Sequence, residues 1–127
     1  MITFNLKKVW FDKIKSGEKT HEYREVKDFW SDRFVKEFFN IDKKVKPFTF
    51  ETLKRKMLEN LQYTKESYNG PFICFMNGMF SEEKRPRLYA RMKSISIKYG
   101  QNTDLDIDKS VYDVEFELID KESINGI

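Results

Sequence analysis

Ile2, Phe4 and Leu6 alternate with Thr3, Asn5 and Lys7, a two-residue period that predicts a short strand over residues 1–6. The period then lengthens. Leu6, Trp10 and Ile14 recur at every fourth position, which predicts a helix over about 8–16 with these three on one face. Gly17 follows and can close that helix in the left-handed conformation without a Cβ clash. Residues 19–25 return to an extended reading, with Thr20, Glu22 and Arg24 on one side and Lys19, His21 and Tyr23 on the other. Between Val26 and Lys46, Trp30, Phe34 and Phe38 form a second helical stripe with Val35 beside them, and Asp28 is placed to cap it. Pro47 stops any helix before it. A third helix is predicted over about 50–62, capped by Thr49, with Phe50, Leu53, Met57, Leu58 and Leu61 on its apolar face and Lys54, Arg55, Lys56 and Glu59 opposite.

The second half of the chain reads as strands. Phe72–Asn77 has too little alternation for a wet face, so it is expected to be a central strand covered on both sides. Leu88–Tyr99 is the longest strand candidate, and its alternation changes phase at Ser94, the signature of a bulge or bend. Asp104, Asp106 and Asp108 lie in a polar stretch over 100–110 that reads as a solvated loop, lacking the glycine and terminal glutamate of a calcium loop. Tyr112, Val114, Phe116 and Leu118 alternate with Asp113, Glu115 and Glu117, which predicts a final half-exposed strand, and 121–127 read as a tail. The sum is an α+β fold: a small mixed barrel of about five strands with two or three helices around it.

Composition narrows the class. The chain has 127 residues, 39% hydrophobic and 35% charged, which suits one globular domain over 1–120 with a helical insertion at about 40–69. No apolar run approaches a membrane span and the N-terminus lacks a signal-peptide pattern, so a cytoplasmic protein with no membrane partner is expected. The one cysteine, Cys74, sits in the apolar run Phe72–Phe75 and reads as core rather than nucleophile. With one histidine and one buried cysteine, neither a metal site nor a cofactor is expected. Residues 1–100 hold 22 Lys and Arg against 13 Asp and Glu, while 101–127 hold 2 against 8. A basic body with an acidic end permits contact with phosphates without demanding it.

Chemistry concentrates in Gly17-Glu18-Lys19-Thr20-His21-Glu22-Tyr23-Arg24. A carboxylate, a guanidinium and an ammonium fall within six residues, and none can be buried unpaired. The plainest outcome is an ion-pair network that pins the first helix to the sheet. The pattern G-x-K-x-x-E-x-R, the run from Arg24 to Phe34 and the segment Phe75-Met76-Asn77-Gly78-Met79-Phe80 together resemble the ASCH family, a group with a PUA-like β-barrel. The resemblance covers most of the chain outside 40–69. It implies a cleft between the first helix and the barrel that binds RNA or a nucleotide-like ligand. There Lys19 and Arg24 would neutralise phosphate and Glu22 would accept hydrogen bonds from a base edge or ribose. Tyr23, His21 or Trp30 would offer a stacking face; Arg33, Asn77, Arg85 and Arg87, with Lys84, would extend the site.

The same resemblance implies an alternative, a hydrolase acting on RNA or on a modified nucleoside such as 4-acetylcytidine. That branch matches at Lys19 but carries a threonine nucleophile where this chain has Glu22. Thr20 is then the fallback nucleophile, and Glu22 would more readily serve as general base with Lys19 stabilising an oxyanion. A single histidine counts against a two-histidine ribonuclease mechanism.

Overall fold

The computed structural model describes residues 1–38, 41–59, 71–78 and 85–121, apart from the side chains of residue 38 and of 56–59. Five strands, β1 (Ile2–Leu6), β2 (His21–Glu25), β3 (Phe72–Asn77), β4 (Arg87–Tyr99) and β5 (Ser110–Ile119), form one sheet in the order β1-β3-β4-β5-β2. Only β1 and β3 run parallel; the other pairs are antiparallel. Three helices complete the α+β fold: α1 (Lys8–Lys15), α2 (Asp28–Phe38) and α3 (Phe50–Glu59).

The sheet is a curled half-barrel. Phe75 of β3 and Phe116 of β5 are separated by the whole of β4, yet their ring centroids lie 4.6 Å apart. Strands two places apart in a flat sheet stand roughly 9–10 Å from each other, so only curvature brings these rings together on the concave face. The bend is assisted at Met92–Ser94, where the β4–β5 register shifts at the position of the phase change in the sequence. Ile2, Phe4, Ile73, Phe75, Ala90, Met92, Tyr112 and Val114 fill the concave side. Removing one such ring or branched chain from water is worth roughly 2–3 kcal/mol.

Helix α2 closes the open side of that core. Phe34 meets Tyr112 edge-on at 5.1 Å, Trp30 stacks on Phe4 at 5.2 Å, and Val35 is fully buried. Ser31 and Tyr112 share a 2.5 Å hydrogen bond between their hydroxyls, which satisfies both inside the core. Helix α3 packs on α2, burying Leu53 and setting Phe50 6.3 Å from Tyr112, while Lys54 and Arg55 face solvent. Thr49 caps α3 through its hydroxyl and the Thr52 N–H, at 3.5 Å. The predicted contributions of Phe38, Lys56, Met57, Leu58, Glu59 and Leu61 lie outside the described residues, as do Lys84 and the tail at 122–127.

Three expectations need correction. Helix α1 buries Phe11 and Ile14 rather than a Leu6–Trp10–Ile14 stripe, because Leu6 still belongs to β1 and Trp10 is turned half out of the core. The face of β5 expected to be wet is only partly so: Glu117 is exposed, but Asp113 is 2% exposed. Arg87 opens β4 rather than sitting in the preceding loop. Gly17, by contrast, takes φ 85°, and the chain leaves α1 by the predicted left-handed turn.

Candidate functional site

Strands β1 and β2 are the two edges of the sheet, and curling brings them face to face. The seam between them is a cleft of about 610 Å³. It is lined by β2, by the end of β1 with Trp10 of α1, by Trp30 of α2, and by Asp104, Leu105 and Ile107 of the β4–β5 loop.

Register explains what faces into the seam. Glu22 stands opposite Val114 and Arg24 opposite Tyr112, so both charged side chains leave the concave, core-facing side of β2. Each must be satisfied there. Arg24 Nη2 donates to Asn5 O of β1 at 3.2 Å and to Glu22 Oε2 at 3.4 Å, so this side chain bridges the two sheet edges. Its guanidinium lies beside the stacked pair of Phe4 and Trp30, 5.0 and 5.1 Å from the two ring centroids. Arg24 Nε is buried without a hydrogen-bond partner among the described residues. Glu22, 6% exposed, accepts the Tyr23 backbone N–H at 2.9 Å and has Lys19 Nζ at 3.7 Å from its Oε1.

Lys19 was expected on the strand face opposite Glu22. It meets Glu22 instead, because β2 begins only at His21 and Lys19 still belongs to the turn, where its backbone N–H bonds Lys13 O. The ammonium is 8% exposed, pairs with Asp104, and lies 5.6 and 5.0 Å from the Trp10 and Tyr23 rings. Asp104 is a cleft residue that the sequence did not single out. The loop is solvated as expected, with Asp104, Asp106 and Asp108 all exposed, but Asp104, Leu105 and Ile107 also line the cleft. The loop's anchor is Gly100, whose N–H bonds Lys109 O at 2.8 Å and whose carbonyl accepts from Ile107 and Thr103.

The other predicted site residues divide. Tyr23 and Trp30 line the cleft; Thr20, Arg33, Asn77, Arg85 and Arg87 do not. Thr20 is exposed, and its carbonyl pairs with the Phe116 N–H. Asn77 is buried at the C-terminal end of β3, paired with Leu6 of β1, and Arg33 lies over Phe29 at 5.4 Å. Lys7 and Lys27 join the lining instead, and Glu25 at the rim has its carboxyl held below the usual carboxylate range by Lys109 and Lys27. Four cations and three carboxylates therefore line the cleft, a nearly balanced set that suits a ligand with little net charge or one phosphate. Among the described residues no group of three or more His, Cys, Asp or Glu is placed to hold a metal ion, and no helix is long and apolar enough to cross a membrane.

Behind the cleft, on the convex face, Asp113 holds His21 Nδ1 at 2.6 Å and Lys98 Nζ at 2.5 Å, and His21 stacks on Tyr23. Burial, then the Asp113 charge, pushes the Tyr23 hydroxyl above its ordinary value of 10.0. Burial also raises Tyr112, opposed by its Ser31 bond, and the Asp113 hydrogen bond raises Lys98 above 10.5. All three bind their proton more tightly folded than unfolded. The stability they supply is thus complete below the unfolded values and lost as pH rises through the folded ones. Urea midpoints should fall above about pH 10, and Tyr23→Phe/Tyr112→Phe should flatten that fall; an unaltered alkaline limb in the double variant would refute the assignment.

No family model, no curated protein and no solved structure matches the chain.

Proposed function

We propose that this chain is an ASCH-type domain with a PUA-like barrel, and that its seam binds one nucleotide unit of RNA or a nucleotide-like ligand. The observation that carries this reading is the Lys19–Glu22–Arg24 network set among the Trp10, Tyr23 and Trp30 rings in an open cleft. Aromatic faces hold a base by stacking whatever its identity. The cleft volume, about 610 Å³, falls in the range of small-ligand sites. Glu22, fixed by two hydrogen-bond donors and the Lys19 ion pair, is positioned to accept from a base amino group or a ribose hydroxyl. A single phosphate at Lys19 or Lys27 matches the lining's slight positive balance. The resemblance of the G-x-K-x-x-E-x-R stretch to ASCH domains supports the same reading.

The hydrolase reading rests on one distance, Lys19 Nζ to Glu22 Oε1 at 3.7 Å, which would let Glu22 activate water beside an oxyanion-stabilising ammonium. Against it, no histidine stands among the described residues that line the cleft, so Glu22 has no such partner for proton transfer there. Thr20, exposed and outside the cleft, is badly placed as nucleophile.

Calorimetry with the four ribonucleosides, their 5′-monophosphates, 4-acetylcytidine and a mixed-sequence single-stranded RNA tests this, with chromatography for products from the same samples. Saturable binding without product is expected, weakened about 10- to 100-fold by Glu22→Gln in a protein that still melts cooperatively. The RNA affinity should depend only shallowly on salt, with a log–log slope of about −0.7 to −1.4, as for one or two phosphates. Product lost in Glu22→Gln would establish the hydrolase, and no binding at low salt would sink both readings.

A further inference from the structure

An exposed aromatic stands just outside the cleft. Phe29, in the first turn of α2, is 59% exposed and packs edge-on against Trp30 at 5.1 Å. Trp30 lines the cleft, and Arg33 lies over the Phe29 ring at 5.4 Å. Arg24, Trp30, Phe29 and Arg33 thus form one unbroken chain of contacts, two adjoining rings with a cation at each end, from the seam to the exposed Phe29.

We propose that Phe29 and Arg33 form a second subsite, which takes the nucleotide adjacent to the one in the cleft, so that the ligand is a single-stranded nucleic acid rather than a free nucleoside. This rests on the cleft being a nucleotide site. Phe29 is the most exposed of the described large hydrophobic side chains, so its ring remains accessible to a ligand. A ring beside a guanidinium is what an unpaired nucleotide needs: a π-face for its base and a cation for its phosphate. The Trp30 and Phe29 rings adjoin, with centroids 5.1 Å apart, so two bases taken by them would be neighbours on a strand. Lys27, exposed at the cleft and paired with Glu25 at 3.2 Å, adds a cation to this side of the site. A duplex is disfavoured, since its bases are already stacked on each other and offer no free face to either ring.

The test is a paired titration of the full chain with a mixed-sequence single-stranded RNA decamer and with the four 5′-mononucleotides. Wild type should bind the decamer more tightly than any mononucleotide. Phe29→Ala should lose about tenfold in decamer affinity and leave the mononucleotides unchanged, and Phe29→Tyr should retain the wild-type decamer affinity. A Phe29→Ala protein that binds the decamer as well as wild type overturns the subsite. So does one that loses decamer and mononucleotide equally, for then Phe29 acts only by supporting Trp30. Wild type that binds mononucleotides but no decamer overturns the subsite and leaves the cleft reading standing; wild type that binds neither overturns both.

Discussion

Lys19→Met should lower the stability of the folded chain by about 3 kcal/mol, or roughly 10 °C in Tm for a domain of this size. Removing one partner from a buried ion pair leaves the other charge uncompensated, and that penalty exceeds the worth of the pair itself. Glu22 is the charge left behind: its side chain is 7% exposed, whereas Asp104 at 35% can rehydrate. The Tyr23 N–H and Arg24 remain with Glu22, which places the loss at the lower end of what such deletions cost. A double variant separates this from simple packing loss. Glu22→Gln keeps the acceptor for the Tyr23 N–H and removes the charge, so Lys19→Met/Glu22→Gln should be less destabilised than the two single losses added, by about 1–2 kcal/mol. Additivity within about 0.5 kcal/mol would show that Lys19 and Glu22 do not act on each other. Urea unfolding of the four proteins makes the measurement.

Gly100→Ala should be nearly as damaging, although the position is far from β2 in sequence. A Cβ at Gly100 would stand 2.7 Å from Ile107 Cγ1, Ile107 O and Lys109 O. Two of these are backbone oxygens, so no rotamer change relieves the overlap and the loop must move. The expected cost is about 2–3 kcal/mol, or roughly 8 °C in Tm. The movement carries Asp104 away from Lys19 and shifts Leu105 and Ile107 in the cleft wall. NMR of the Gly100→Ala protein should therefore show shifts at residues 103–109 and at the Trp10 indole together. A Tm within about 2 °C of wild type would mean that the loop yields easily and does not shape the seam.

The sequence by itself determined the elements, because their signals are local. Period-two alternation marked β1 and β5, the change of phase at Ser94 marked the bulge, and the glycine after Ile14 marked the turn that delivers the chain to β2. The pairing demand of Glu22 and Arg24 was equally legible, since two opposite charges at i and i+2 share a strand face whatever the rest of the protein does. Lys19 was assigned to the wrong side because alternation was counted from residue 19, and a strand that starts at His21 has no authority over the turn before it. Only the tertiary structure decided which edges meet. Asp104 reaches Lys19 across 85 residues, and Asp113 reaches His21 across 92; local composition records just that these aspartates are polar. The same holds for Trp10 and Trp30, whose periodicity said core. Curling of the sheet left both half-buried along a seam, because β1 and β2 close on a bridging arginine rather than on each other's backbone.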